Sequence, residues 1–112
     1  MKNKLHYAPE ALRDLDDIWE YIALELNNPA AAKRTVSRIM DSADGLAEFA
    51  EAGAPLHSVA DVESDYRFLV CGNYLMFYRI EGKDVFIDRV LYGRRDYLRI
   101  LFGDPGDIDS EA

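Results

Sequence analysis

The sequence predicts an α+β domain in the order β-α-α-β-β-β-α. It consists of an antiparallel sheet of about four strands, an N-terminal two-helix hairpin packed on one face, and a short C-terminal helix. Three observations carry this. Between Pro9 and Ala47, apolar residues recur at helical spacing on either side of an Asn27-Asn28-Pro29 break. From Tyr66 to Leu91 the chain is dense in β-branched and aromatic residues, punctuated by Gly72-Asn73 and Glu81-Gly82-Lys83. At 112 residues, 49% of them hydrophobic, it has material for one modest core and not for two.

Lys4-Leu5-His6-Tyr7 alternates polar and apolar side chains, as a short half-buried edge strand does. Pro9 suits the first position of a helix, where its missing N–H costs nothing. Leu12, Leu15, Ile18, Trp19, Ile22 and Leu26 then form one stripe expected to be core, with Asp14, Asp16, Asp17 and Glu20 on the other, solvated faces. Asn28 is a good N-cap for a second helix opening at Pro29, whose stripe is Ala32, Val36, Ile39, Met40, Ala43, Leu46 and Ala47. So short a link predicts an antiparallel helical hairpin. Gly53-Ala54-Pro55 ends it, and residues 54–65, which show no period, read as a surface loop.

Tyr66–Cys71 and Tyr74–Ile80 flank Gly72-Asn73, a two-residue hairpin signal. In that register the numbers of paired residues sum to 145, so Leu69 faces Met76 and Arg67 faces Tyr78. Tyr66, Phe68, Val70, Leu75, Phe77 and Arg79 share the more apolar face, which is expected to meet the helices. Arg67, Leu69, Cys71, Tyr74, Met76 and Tyr78 share the other, an accessible working face. A third strand spans roughly Val85 to Leu91 in an open register, because one extra residue in the turn exchanges its faces. Asp96 can N-cap a helix from Tyr97 to Phe102. The domain therefore spans residues 1–102, and the acidic tail 103–112 is expected to be disordered.

The formal charge of −8 is unevenly spread: residues 66–102 carry seven Lys and Arg against four acids, and the flanking segments are acidic. An acidic chain does not bind free DNA or RNA non-specifically, since that affinity comes from neutralising phosphates, but a local basic patch permits a focused contact. There is no leader pattern and no apolar run long enough for a bilayer, so a soluble, cytoplasmic protein without a membrane partner is expected. One cysteine, Cys71, rules out an internal disulfide and, with no base beside it, reads as a small apolar residue. His6 and His57 stand alone, and the Asp14, Asp17 and Glu20 face has no histidine near it. No metal and no cofactor are expected.

Three stretches in order resemble the RelE/ParE superfamily of bacterial type II toxins, closer to its ParE-like branch. They are Tyr7-Ala8-Pro9-Glu10-Ala11, Tyr74-Leu75-Met76-Phe77-Tyr78-Arg79-Ile80 and Arg89-Val90-Leu91-Tyr92-Gly93-Arg94-Arg95-Asp96-Tyr97. The resemblance covers residues 4 to about 102. It implies a growth-inhibiting toxin of a plasmid-stabilisation (addiction) toxin–antitoxin module, silenced by a cognate antitoxin. ParE-like members inhibit DNA gyrase. RelE-like members enter the ribosome and cut mRNA with the transcript's own 2′-hydroxyl. A third possibility is a fold that has lost toxicity and only binds an antitoxin.

An mRNA nuclease needs cations around the scissile phosphate and a group for proton transfer. By the resemblance, Arg67, Arg95 and Tyr92 would fill those roles in the RelE-like alternative. Leu69 and Leu75 stand where such enzymes often carry Lys or Arg, and Tyr92 where many have His, which favours the gyrase branch. Arg89, Arg94, Arg95 and Tyr97 are the candidates for target binding. Arg94 and Arg95 lead, because cations at a helix start are locally disfavoured. Met76, Tyr78, Leu98, Ile100, Leu101 and Phe102 are the candidates for an apolar antitoxin surface. Structural roles compete for several of these: Arg79 could stack on Tyr66, and Arg89 could pair with an acid of the helices.

Overall fold

The computed structural model describes residues 2–58, 60 and 63–103. The expectation of a disordered tail lies outside the described residues. The elements follow the predicted order: β1 (Lys4–Tyr7), α1 (Pro9–Glu20), α2 (Pro29–Gly45), β2 (Ala54–Pro55), β3 (Arg67–Cys71), β4 (Tyr74–Glu81), β5 (Asp84–Tyr92) and α3 (Tyr97–Phe102). The sheet has five strands in the order β1-β5-β4-β3-β2. Two details go beyond the sequence reading. The two-residue β2 joins the sheet inside the supposed loop, and β1 runs parallel to β5, so the sheet is mixed. A parallel neighbour requires a crossover, and the whole helical hairpin lies within it.

α1 opens on Pro9 and gives way at Tyr21–Glu25 to one wider turn, in which Leu26 N–H reaches back five residues to Tyr21 O at 3.0 Å. Asn27 takes a left-handed φ of 52°, and the Asn28 side chain accepts from Ala31 N–H at 3.1 Å to start α2. The buried line of α1 is Ala11, Asp14, Leu15 and Ile18, continued by Ile22 and Ala23. Leu12, Trp19 and Leu26, expected in the core, are instead 48%, 41% and 56% exposed. The physical reason is Asp14, whose carboxylate must face the sheet. That turns the helix about its axis and carries Leu12 and Trp19, seven residues apart on one face, out to solvent.

The β3–β4 hairpin has the predicted register, with Arg67 opposite Tyr78 and Leu69 opposite Met76. The faces are the reverse of the expectation. Met76, Tyr78 and Cys71 lie under the helices with Ile39, Ala43, Val85 and Ile87, while Phe77 points to the far side. Alternation identifies which residues share a face but not which layer covers it. Here the far face is covered too. Leu56 and α3 close over Phe77 and Leu91, so both faces needed apolar residues, and the face expected to be accessible is the one the helices bury. A bulge settles the third strand. Tyr78 pairs with Ile87 but Phe77 with Arg89, leaving Asp88 as the extra residue, so Val85, Ile87 and Val90 all face the helices.

Candidate functional site

β1 stops at Tyr7, but β5 runs on to Tyr92, and α1 takes over beside it. Asp14 is the buried acid of the described core, 7% exposed. Its carboxylate accepts from Val90 N–H at 2.9 Å, filling the ladder position that β1 has vacated. It also accepts from Arg89 Nε and Nη2, both at 2.8 Å. Hydrogen bonding to Asp14 raises the Arg89 pKa above its ordinary value against the opposing effect of burial. Arg89, a target-binding candidate, is therefore spent inside the chain. Asp14, read as solvated, was legible from its place among Ala11, Leu15 and Ile18 on one helical line.

Arg67 is likewise engaged. Its Nε and Nη2 donate to Gly53 O at 3.1 and 2.8 Å, and Nη2 reaches Glu51 O at 3.3 Å. The same loop is held from below by Tyr78, whose hydroxyl donates to Ala50 O at 2.7 Å and accepts from Gly53 N–H at 2.9 Å. Arg67 sits opposite Tyr78, whereas Tyr92 sits opposite Tyr74. Four residues of strand separate those levels, about 13 Å at the usual rise. The supposed trio of Arg67, Arg95 and Tyr92 does not converge.

Tyr92 and Arg95 do come together, at a cleft of about 1120 Å³ between the helical hairpin and the β3–β4 turn. Tyr21 and Leu26 enter from the hairpin tip, Arg38 and Asp41 from α2, and Val70 and Tyr74 from the sheet. The Tyr74 and Tyr92 rings meet edge to face at 5.9 Å, and burial, with the neighbouring Tyr21 and Tyr92 phenols, pushes the Tyr74 pKa up. Of ten exposed large hydrophobic residues among those described, four line this cleft: Tyr21, Leu26, Val70 and Tyr92. Arg95 is exposed and has no side-chain partner among the described residues, and the same holds for Arg94. Cys71 is a buried wall residue whose thiol pKa is raised chiefly by burial, which suits an apolar role.

Other candidates fall elsewhere. Met76 and Tyr78 are 0% exposed, so neither offers an antitoxin surface; the helical layer covers them. Leu98, Ile100 and Leu101 are half-buried against the Phe77–Leu91 cluster, and the Tyr97 ring lies 5.3 Å from that of Phe77. Phe102 is partly exposed and meets Tyr66 edge-on at 5.8 Å. Arg79 pairs with Asp88 at 2.7 Å and stacks over Phe86, not Tyr66. Asp96 caps α3 as predicted, accepting from Arg99 N–H at 3.4 Å.

Compared with known families, residues 5–97 match the model described as ParE toxin of type II toxin-antitoxin system, parDE. The chain belongs to the ParE toxin family. A curated relative, "Putative toxin Y4kP" of Sinorhizobium fredii, is 34% identical over 102 residues, covering 89% of this chain and 98% of that protein. Among solved structures, the chromosomal ParDE system from P. aeruginosa superposes with a TM-score of 0.68 at 25% identity, over 81% of this chain and 96% of the other. The RelBE2 toxin–antitoxin complex of Mycobacterium tuberculosis shares the fold, with a TM-score of 0.61 at 19% identity, over 82% and 99% of the two chains. This ParE-family chain is thus a toxin of a type II toxin–antitoxin system. None of its described helices is long and apolar enough to cross a membrane.

Proposed function

We propose that this protein acts in the bacterial cytoplasm as a growth-arresting toxin that inhibits DNA gyrase by binding, and that a cognate antitoxin silences it by occupying the cleft. The observation that carries the antitoxin site is the gathering of Tyr21, Leu26, Val70 and Tyr92, all exposed, around one concavity flanked by Arg38, Arg95, Asp17 and Asp41. An apolar floor with a mixed-charge rim is the anatomy of a protein–protein contact. Binding rather than cutting is supported by family membership and by Arg67, which stands four strand residues from the level of Tyr92 and does not line the cleft that Tyr92 and Arg95 share. Arg94 and Arg95, exposed at the corner after β5, are the target contacts.

The experiment is a supercoiling assay with purified gyrase, run beside primer extension on cellular mRNA after induction. The expected result is loss of supercoiling with transcripts intact. Arg95→Ala should weaken inhibition at least tenfold while the melting temperature stays put. Transcript cleavage with unimpaired gyrase would overturn the proposal in favour of a ribosome-dependent nuclease. Normal growth with abundant folded protein would leave a non-toxic antitoxin-binding module.

A further inference from the structure

β5 has an open backbone edge beside the cleft. β1 covers it only over Asp84–Ile87, and the last bond on that side runs from Ala8 N–H to Ile87 O at 2.9 Å. Beyond the bulge, Gly93 N–H donates to Asn73 O at 2.8 Å, in the same register as the Leu75–Leu91 pair. Bonded and non-bonded pairs alternate along an antiparallel ladder. The amide groups of Val90 and Tyr92 therefore point away from β4, toward the side that β1 has left. Two of these four groups are satisfied within the chain: Val90 N–H by Asp14 and Tyr92 C=O by Arg95 N–H, each at 2.9 Å. Val90 C=O and Tyr92 N–H remain, and both residues line the cleft.

A carbonyl and an N–H two residues further on are the pair that one residue of a parallel strand bridges. Its N–H donates to the first and its C=O accepts from the second. An antiparallel strand would need both groups of Val90 or both of Tyr92, and Asp14 and Arg95 already hold one of each. We propose that this edge captures an extended segment of the partner protein as a short parallel strand that continues the line of β1, with one residue bridging Val90 and Tyr92. Parallel direction carries that segment on toward the corner. There the exposed Arg95 side chain, unpaired among the described residues, meets an acidic residue of the partner C-terminal to the bridge. For the partner's identity this rests on the antitoxin reading above; for the mode of binding it rests on the backbone.

The test selects random displayed dodecapeptides on the folded full chain. The best binder is expected to carry Asp or Glu after its bridging residue and to slow exchange of the Tyr92 amide proton at least tenfold. Replacing the Leu91–Tyr92 amide by an ester removes that N–H and weakens the Leu91 carbonyl as an acceptor within the β4–β5 ladder. In a variant whose melt shows the fold retained, binding should weaken about threefold to tenfold, the worth of one hydrogen bond. Arg95→Glu should switch the selected charge to Lys or Arg. Failure to enrich any peptide, or bound peptides that leave Tyr92 exchange unchanged, would overturn the inference. Growth arrest and supercoiling are read separately. A protein that arrests cells but fails here keeps its toxin reading, and one that passes here without arresting cells keeps the edge and loses the toxin.

Discussion

Asp14→Ala removes the one carboxylate on which three donors converge in the buried seam between α1 and β5. It orphans Val90 N–H, a buried backbone donor whose loss costs about 1–3 kcal/mol. It also strips Arg89 of its partner. Breaking a fully buried pair costs about 3–5 kcal/mol, but the Arg89 side chain is 25% exposed and recovers some hydration. The contributions overlap, and a total of about 3 kcal/mol is expected. With a urea dependence of about 1.5 kcal/mol/M, the denaturation midpoint should fall by about 2 M. Asp14→Asn keeps an acceptor for Val90 N–H and should lose about half as much. Asp14→Leu with Arg89→Met removes both charges and should recover much of the loss, because the desolvation of the pair is recovered with them. A midpoint shift below about 0.5 M for Asp14→Ala, or a double variant no better than the single one, would refute the assignment of this pair as the seam's anchor.

Gly53→Ala should cost about 2–3 kcal/mol in a thermal melt, because a Cβ there would strike the Phe68 carbonyl oxygen and stand 2.7 Å from the Tyr78 hydroxyl. An unchanged melt would mean the loop is not docked as described. Met76→Ala should cost about 2–5 kcal/mol by cavity formation, yet leave antitoxin affinity intact when titrated by calorimetry on the folded protein. Loss of affinity without loss of stability would return Met76 to the surface.

Much of the architecture could be read from local chemistry. Pro9, Asn28-Pro29 and Asp96 mark helix starts through groups within a few residues of themselves, and Gly72-Asn73 defines the β3–β4 register through its own turn. Three stretches identified the superfamily, and the match over residues 5–97 places the chain in its ParE branch. The candidate site was legible only in part. Tyr92 and Arg95 lie at the cleft, but Tyr21, Leu26, Val70 and Arg38 reach it from segments far apart in sequence, and no local pattern announces their meeting.

The sequence by itself determined the elements other than β2, their order and the β3–β4 hairpin pairing, because helix caps, turns and periodicity act over a few residues. Tertiary structure alone decided which face of the sheet meets the helices, where Asp14 turns, and that Arg67 and Arg89 serve the fold. Those outcomes depend on competition between layers. Two apolar faces of similar composition were available, and the choice went to the one where Tyr78 satisfies Ala50 and Gly53 while α3 closes over Phe77. A charged side chain reads the same in the sequence whether water or a buried carboxylate receives it, and only the fold brings Asp14 to Arg89 across 75 residues.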